Sequence, residues 1–411
     1  MAVRLLTLLG SLPIALPVAF AADPVGIPPV EELPGSTRTR MADLREAATE
    51  KSFAAPPIEA EMRVVDIREL TLTGLGWEVD DFDGLGRLPR SAASSTPKRV
   101  WESARRPAGV AASFLTDAET LTLEWSAGDG QSTAEVPATR SHGFDLYLRD
   151  EDSTWRHVRT VEITPSADGS GSATLFEGQA AQSRALRLYL PLDLALESVR
   201  LVADGTATLD PLDPSRGELG NPLVLFGGAD VAGAGNSRPG LSLAATLGRR
   251  MDRVVVNLGF DTEALLSLEL GGLLAEVNAS VFVLDVMSTV NAATLEVALE
   301  PFIAGLRAAR PWSSVLIVDQ PTPPAAQLDR ALALEFEERR RIQRSTMDRL
   351  SSTGVTGIYH LDQEALLGLA DRWTVDGRTR GDGAVEHLAE VLASASEPLV
   401  RAWADRREQD H

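Results

Sequence analysis

The chain is predicted to fold as an amino-terminal antiparallel β-sandwich followed by a three-layer, doubly wound α/β domain on a five-stranded parallel sheet. Two observations carry this reading. Between Val64 and about Val202 the apolar residues alternate over short runs, LTLEWS, FDLYLRD, HVRTVEI, SATLFE, LRLYLPL and SVRLVA, separated by turn clusters such as AGDG and SADGSGS. Alternation over a few residues between turns is the period of half-buried strands in a sandwich. After DPLDPSRGELGNP the rhythm changes to continuous apolar runs, PLVLF, VVVNLG, SVFVLDV, SSVLIVDQ and GIYHLD, with helical stretches between them. Runs roughly every 25 to 35 residues have the spacing of βαβ units and imply a parallel sheet with its ligands at the strands' carboxyl ends. No self-similar period of 20 to 50 residues is visible, which excludes a repeat protein.

The elements are justified in order. Residues 1–21, MAVRLLTLLGSLPIALPVAFA, combine one positive charge, a short apolar stretch and an Ala19-Phe20-Ala21 site. This is the layout of a cleaved secretory signal, and Pro13 and Pro17 make the run a poor spanning helix. Residues 22–60 are rich in proline and charge and read as a linker with one short helix around Met41 to Lys51. The sandwich is expected over 61–215 and the α/β domain over 220–406, with a long charged helix from about Ala326 to Leu350.

Composition narrows the function. The chain has 411 residues, 44% hydrophobic and 24% charged, with a formal net charge of -20. Such a charge repels phosphate backbones and anionic headgroups, which argues against nucleic acid and, after signal cleavage, against a membrane partner. Cysteine is absent. That rules out a disulfide framework, a thiol nucleophile and a lipidated amino-terminal cysteine, so the expected location is secreted or periplasmic. The five histidines, His142, His157, His360, His387 and His411, lack HxH or HExxH spacing, so neither metal nor cofactor is expected.

The stretch LFGGADVAG, Leu225 to Gly233, ends a strand-like run and leads toward a helix-like segment. In an α/β enzyme this turn displays a nucleophile, yet it offers only Gly228, Ala229 and Asp230. A family resemblance explains the turn. His142-Gly143-Phe144-Asp145-Leu146-Tyr147 resembles the GxDLY signature of the sandwich preceding a subgroup of bacterial SGNH (GDSL-type) esterases. Ser237-Arg238-Pro239-Gly240, LGRRMDRVVVNLGF, FVLDV, HLDQEALLG and TVDG resemble the catalytic domain of that subgroup. The resemblance spans most of the chain after the signal and implies a flavodoxin-like SGNH hydrolase domain. It also implies an acyl-transfer site with a serine on the turn after the first strand, a glycine and an asparagine in the oxyanion hole, and a DxxH block near the carboxyl end. A serine hydroxyl needs an imidazole to take its proton, and the oxyanion needs donors aimed at it.

Laid on this chain, the serine falls on Ala229, the oxyanion glycine on Thr262, the asparagine after Asp285 on Thr289, and the histidine of the DxxH block on Thr379; only Asp376 survives. A missing oxyanion donor costs about 10²–10³ in rate. Loss of nucleophile and base removes the mechanism, leaving about 10³–10⁴ over water. The resemblance therefore implies a degenerate member without the catalytic Ser, Asn and His. Substitutes would be Asp230 beside the lost serine, Ser237 in SRPG, and His360 at the end of the fifth predicted strand; His387 reads as a helix flank. Asp230 reads more simply as a helix cap. Asn291 would reach the vacated asparagine position only through a loop shift.

Three roles compete. The first is an exported binding protein for a carbohydrate or acylated glycan, using Arg238 and Trp373 at the old site, with Trp77, Trp101, Trp125 and Trp155 as further aromatics. The second is an active esterase or deacetylase with rewired residues. The third is an assembly partner of another exported protein, docking through EFEERRRIQRSTMDRL. Asp80, Asp81 and Asp83 lack the spacing of a calcium loop, and Asn278-Ala279-Ser280 matches a glycosylation sequon.

Overall fold

The computed structural model describes residues 61–408 except 129–137, 164–165, 167, 216, 263, 363–365 and 367–373. The expected signal, the expected linker with its short helix, and Trp373 lie outside the described residues.

The amino-terminal strands are β1 (Met62–Asp66), β2 (Thr71–Thr73), β3 (Ala111–Thr116), β4 (Leu121–Ala127), β5 (Gly143–Arg149), β6 (Trp155–Glu162), β7 (Ser170–Phe176), β8 (Arg184–Tyr189), β9 (Leu196–Asp204) and β10 (Leu209–Pro211). They form two antiparallel sheets, one in the order β1-β9-β4-β7 and one in the order β10-β3-β8-β5-β6 with β2 on β3. Each alternating run named above lies on one of these strands. The alternation assigns faces: Leu121, Leu123 and Trp125 of β4 meet Phe144 and Leu146 of β5 in the shared core. Strand β3, AASFLT, lacks alternation because nearly all of it is buried; Ala111 packs with Tyr147, Tyr189 and the helical Ala245 outside the sandwich core. The six-stranded sheet thus has the sandwich on one face and the α/β domain on the other.

The parallel sheet comprises β11 (Leu223–Gly227), β12 (Val255–Gly259), β13 (Val281–Asp285), β14 (Ser314–Val318) and β15 (Ile358–Leu361), ordered β12-β11-β13-β14-β15 and parallel throughout. Helices α1 (Lys98–Ala104) and α2 (Ala138–Ser141) precede it, and α3 (Ala229–Ala232), α4 (Leu243–Met251), α5 (Leu268–Glu276), α6 (Ala292–Ala309), α7 (Arg330–Ser352) and α8 (Asp382–Glu408) accompany it. The first four strands are buried along their whole length, which explains their unbroken apolar runs. Leu223 and Leu225 point to a core with α4 and α8, while Val224 and Phe226 point to a core with α5, α6 and α7. Each such side chain contributes about 1.5–3 kcal/mol by leaving water. The charged helix begins at Arg330 rather than Ala326, because Asp329 caps it through the Leu332 N–H at 3.0 Å. Its charges pair locally, Arg341 with Glu338 and Glu296, while Phe336, Ile342 and Leu350 face the core. Among the described residues, no helix is long and apolar enough to cross a membrane.

Candidate functional site

The turn after β11 lies at the carboxyl edge of the sheet between β12 and β13, where the strand order reverses. Close packing requires its glycines. A Cβ on Gly228 would stand 1.7 Å from Thr289 Oγ1 and 2.6 Å from Thr289 Cβ. Beside the turn is a cavity of about 320 Å³ lined by Ala229, Asp230, Ser288, Thr289, Gln320 and Thr379, together with Arg339, Arg378 and the apolar Pro323, Leu332 and Phe336. Three residues far apart in sequence, Ala229, Thr289 and Thr379, therefore share one pocket. Asp376 lies against it, accepting from the backbone N–H of Thr379 (2.6 Å) and Arg378 (2.9 Å) and from Thr379 Oγ1 (2.9 Å). Burial acts to raise the Asp376 pKa, but these hydrogen bonds outweigh it and hold the carboxyl below its ordinary value.

Beneath the pocket lies Arg380, buried, with bonds to both Asp285 oxygens (2.5 and 3.1 Å) and to Gln320 Oε1 (2.7 Å). Asp230 Oδ2 is 3.5 Å from the same guanidinium, and Asp230 Oδ1 accepts from the Arg380 N–H at 3.3 Å. Burial pushes the Asp230 carboxyl upward; Arg380 opposes this and Asp285 adds to it. Asp230 thus packs in the cavity wall as a partner of Arg380. Sequence reasoning missed Arg380, Gln320, Ser288 and Arg339. Arg380 stands next to Thr379, but an arginine after a DxxT block carries no pattern of its own.

The other predicted residues lie elsewhere. Thr262 is on the loop after β12, its N–H donating to the Phe260 carbonyl (2.8 Å) and its Oγ1 accepting from the Ala264 N–H (3.3 Å). Ser237 is exposed, its N–H held by Asp382 (3.0 Å) and its carbonyl by Thr139 Oγ1 (2.7 Å). His360 is exposed on the edge strand β15 and does not line the cavity. Asn291 caps α6 through the Thr294 N–H (2.9 Å). Trp77 donates to Glu276 (2.8 Å), Trp125 is buried, and Trp155 lies under Arg187 (4.3 Å). Arg90 donates to the carbonyls of Asp80 and Phe82 and pairs with Asp83 at 3.6 Å. Among the described residues, no cluster of three or more His, Cys, Asp or Glu is arranged to hold a metal.

Arg238 is placed by the GxDLY strand. Because Phe144 and Leu146 face the sandwich core, Asp145 and Tyr147 face the α/β domain. The fully buried Asp145 accepts from Arg238 Nη1 (2.6 Å), the Gly240 N–H (2.8 Å) and Thr160 Oγ1 (2.6 Å), while Tyr147 Oη accepts from Arg238 at 2.9 Å. A Cβ on Gly240 would meet the Tyr147 ring at 2.5 Å, which explains the glycine of SRPG. The signature and the SRPG loop are the two halves of one clasp.

Comparison with known proteins agrees with this architecture. A search of the curated proteins finds no match. Among solved structures, a protein described as a GDSL-like lipase from Bacteroides ovatus superposes with a TM-score of 0.75 at 20% identity, covering 83% of this chain and 98% of its own. A salicylyl-acyltransferase from a tetracycline biosynthetic pathway gives 0.62 at 20% identity, covering 84% and 98%. A family two carbohydrate esterase from Clostridium thermocellum, in complex with cellohexaose, gives 0.51 at 11% identity, covering 72% and 94%. At such identities the likeness shows a shared fold. Residues 62–209 match the family model described as the N-terminus of Esterase_SGNH_hydro-type, and residues 220–395 match the GDSL-like Lipase/Acylhydrolase family. With both models matched in tandem over the sandwich and the parallel-sheet domain, the chain belongs to the GDSL/SGNH-type esterase family.

Proposed function

We propose that this protein is an exported SGNH-fold pseudoenzyme whose vacated cleft binds a carbohydrate or acylated glycan. The observation that carries the reading is the convergence of Ala229, Thr289 and Thr379 on one pocket. Ala229 has no oxygen to attack with, and Thr379 has no proton acceptor of the imidazole kind. Its hydroxyl is instead given to Asp376. The lining suits a sugar bearing a short acyl group: it combines the polar groups of Ser288, Thr289 and Gln320 with the apolar Leu332, Pro323 and Phe336. The carbohydrate class is carried over from neighbours of the same fold, the cellohexaose-bound esterase and a family two carbohydrate esterase from Cellvibrio japonicus. Export rests on the charge and apolar layout of residues 1–21, and amino-terminal sequencing of the processed chain tests it.

The test is aryl-acetate hydrolysis by the natural chain and by a variant carrying Ala229→Ser, Thr289→Asn and Thr379→His. The natural chain is expected at the buffer rate and the triple variant above it. Calorimetry with acetylated xylo-oligosaccharides should give saturable heat without release of acetate. A second reading, a rewired esterase, has one observation in its favour: Asp230 lines the cavity with a raised pKa. Hydrolysis by the natural chain that disappears in Asp230→Asn would establish it and remove the pseudoenzyme reading.

A further inference from the structure

A second cavity lies at the amino-terminal edge of the parallel sheet, the edge opposite Ala229. Here α6 ends and the chain turns through Arg310 and Trp312 into β14, while α8 passes alongside with Trp403 and Arg407. With Asn278 before β13, these residues line a space of about 570 Å³, within the range of small-molecule sites. The groove combines two indoles, Trp312 being 41% exposed, with guanidinium groups and the exposed side of Asn278.

Its charge is one-sided. Arg310 donates to the carbonyls of Ala275 and Glu276, and Arg307 to those of Thr356 (2.7 Å), Arg310 (3.0 Å), Pro311 (3.0 Å) and Ser313. Arg406 donates to the Trp312 carbonyl (2.9 Å) and to Ser314 Oγ (3.3 Å), leaving its buried Nε without a partner. The Arg407 guanidinium lies 5.1 Å over the Trp403 ring. Among the described residues, none of these four arginines pairs with a carboxylate, and the nearby Glu276 carboxylate is taken by Trp77 Nε1. Burial, and after it the Arg406 charge, push Arg307 below the usual guanidinium range, with Tyr359 opposing. In a chain of net charge -20, four neighbouring arginines that form no ion pair with a carboxylate repel one another, and a bound anion relieves that repulsion.

We propose that this groove is a binding site for an acidic sugar, a uronate-bearing oligosaccharide. The apolar face of a pyranose ring stacks on an indole, the carboxylate meets the planar donors of Arg407 and Arg310, and Asn278 meets ring hydroxyls. The site lies across the sheet from the Ala229 cleft and does not depend on what that cleft binds.

The experiment is a titration of the full chain with trigalacturonate, with xylotriose as the neutral control, read by calorimetry and tryptophan fluorescence. Trigalacturonate is expected to saturate, to bind at least about tenfold tighter than xylotriose, and to weaken with added salt. Loss of one charge-assisted contact in Arg407→Gln should weaken binding about tenfold, and Trp403→Leu comparably. Arg407 is exposed, so its replacement tests the site even where Trp403→Leu disturbs helix packing. Thr379→Trp, which fills the other cavity, should leave trigalacturonate binding in place. The proposal is overturned by equal affinity for the two trisaccharides, by no saturation at about 10 mM, by indifference to Arg407→Gln, or by loss of binding in Thr379→Trp. Loss of acetylated xylo-oligosaccharide binding in Thr379→Trp but not in Arg407→Gln reports on the cleft alone.

Discussion

The clasp at Asp145 and the floor of the cleft at Arg380 both pair a buried carboxylate with an arginine, yet they are balanced differently. At the clasp one carboxylate meets one guanidinium, and backbone and hydroxyl donors complete its shell. Beneath the cleft one guanidinium serves two carboxylates, and the second, Asp230, is held by longer contacts. The clasp joins the two halves of the chain and is complete. The cleft is lined by Ala229, Thr289 and Thr379, where the family resemblance implies a serine, an asparagine and a histidine. Fold-holding and chemistry-bearing residues are thus separable in this architecture, and the comparison can be broken from either side.

The largest effect is expected at the clasp. Asp145→Ala strands Arg238 and the Gly240 N–H at a buried interface, which should cost about 3–5 kcal/mol. Chemical denaturation of the variant measures it, and a loss below about 1 kcal/mol would show that the clasp does not hold the halves together. The next effect is at the turn. In Gly228→Ala the new methyl meets the Thr289 side chain and must displace it, at about 1–3 kcal/mol. The companion Thr289→Gly should recover part of that loss; a purely additive double variant would mean that the strain lies elsewhere.

The same separation explains what was legible in the sequence. Strands with one clear face, such as LTLEWS, and fully buried runs, such as FVLD, write their burial directly into the residues. Strand β3 did not, because a strand buried on both faces with small alanines shows neither alternation nor a long aliphatic run. The motif blocks singled out Ala229, Thr262, Thr289 and Thr379 along the chain, and three of these four line one cavity. Arg238 could be singled out as a site residue, but its partner Asp145 lies 93 positions away, so its place in the clasp was not readable. The amino-terminal groove was invisible for the same reason: Asn278, Arg310 and Arg407 share no local pattern, and only packing of α8 against the sheet edge unites them.

Two carboxylates at the cleft should respond to pH with opposite sign. Asp230 has a folded pKa above its ordinary value of about 3.9, so its contribution to stability is present below that value and is lost as pH rises through the folded pKa. Asp230→Asn should therefore gain stability relative to the natural chain as pH climbs out of that window. Asp376 is depressed, so its contribution is present above the ordinary value and is lost as pH falls through the folded pKa. Asp376→Asn should be the less stable chain at neutral pH and converge with the natural one in acid. Melting temperatures across pH 3 to 7 decide both, and parallel curves for either pair would refute the assigned direction.

The smallest effect is expected at Thr379. In Thr379→Val the shape is kept and only the hydroxyl bond to Asp376 is lost, at a partly solvated site, so stability should fall by less than about 1 kcal/mol. The backbone bonds from Thr379 and Arg378 still hold Asp376 in place. If the cleft binds an acylated glycan through shape and its remaining polar groups, affinity should change little in this variant. A loss of binding as large as that caused by Thr379→Trp would instead make the hydroxyl a direct ligand contact, and the bond to Asp376 would then orient it toward the sugar.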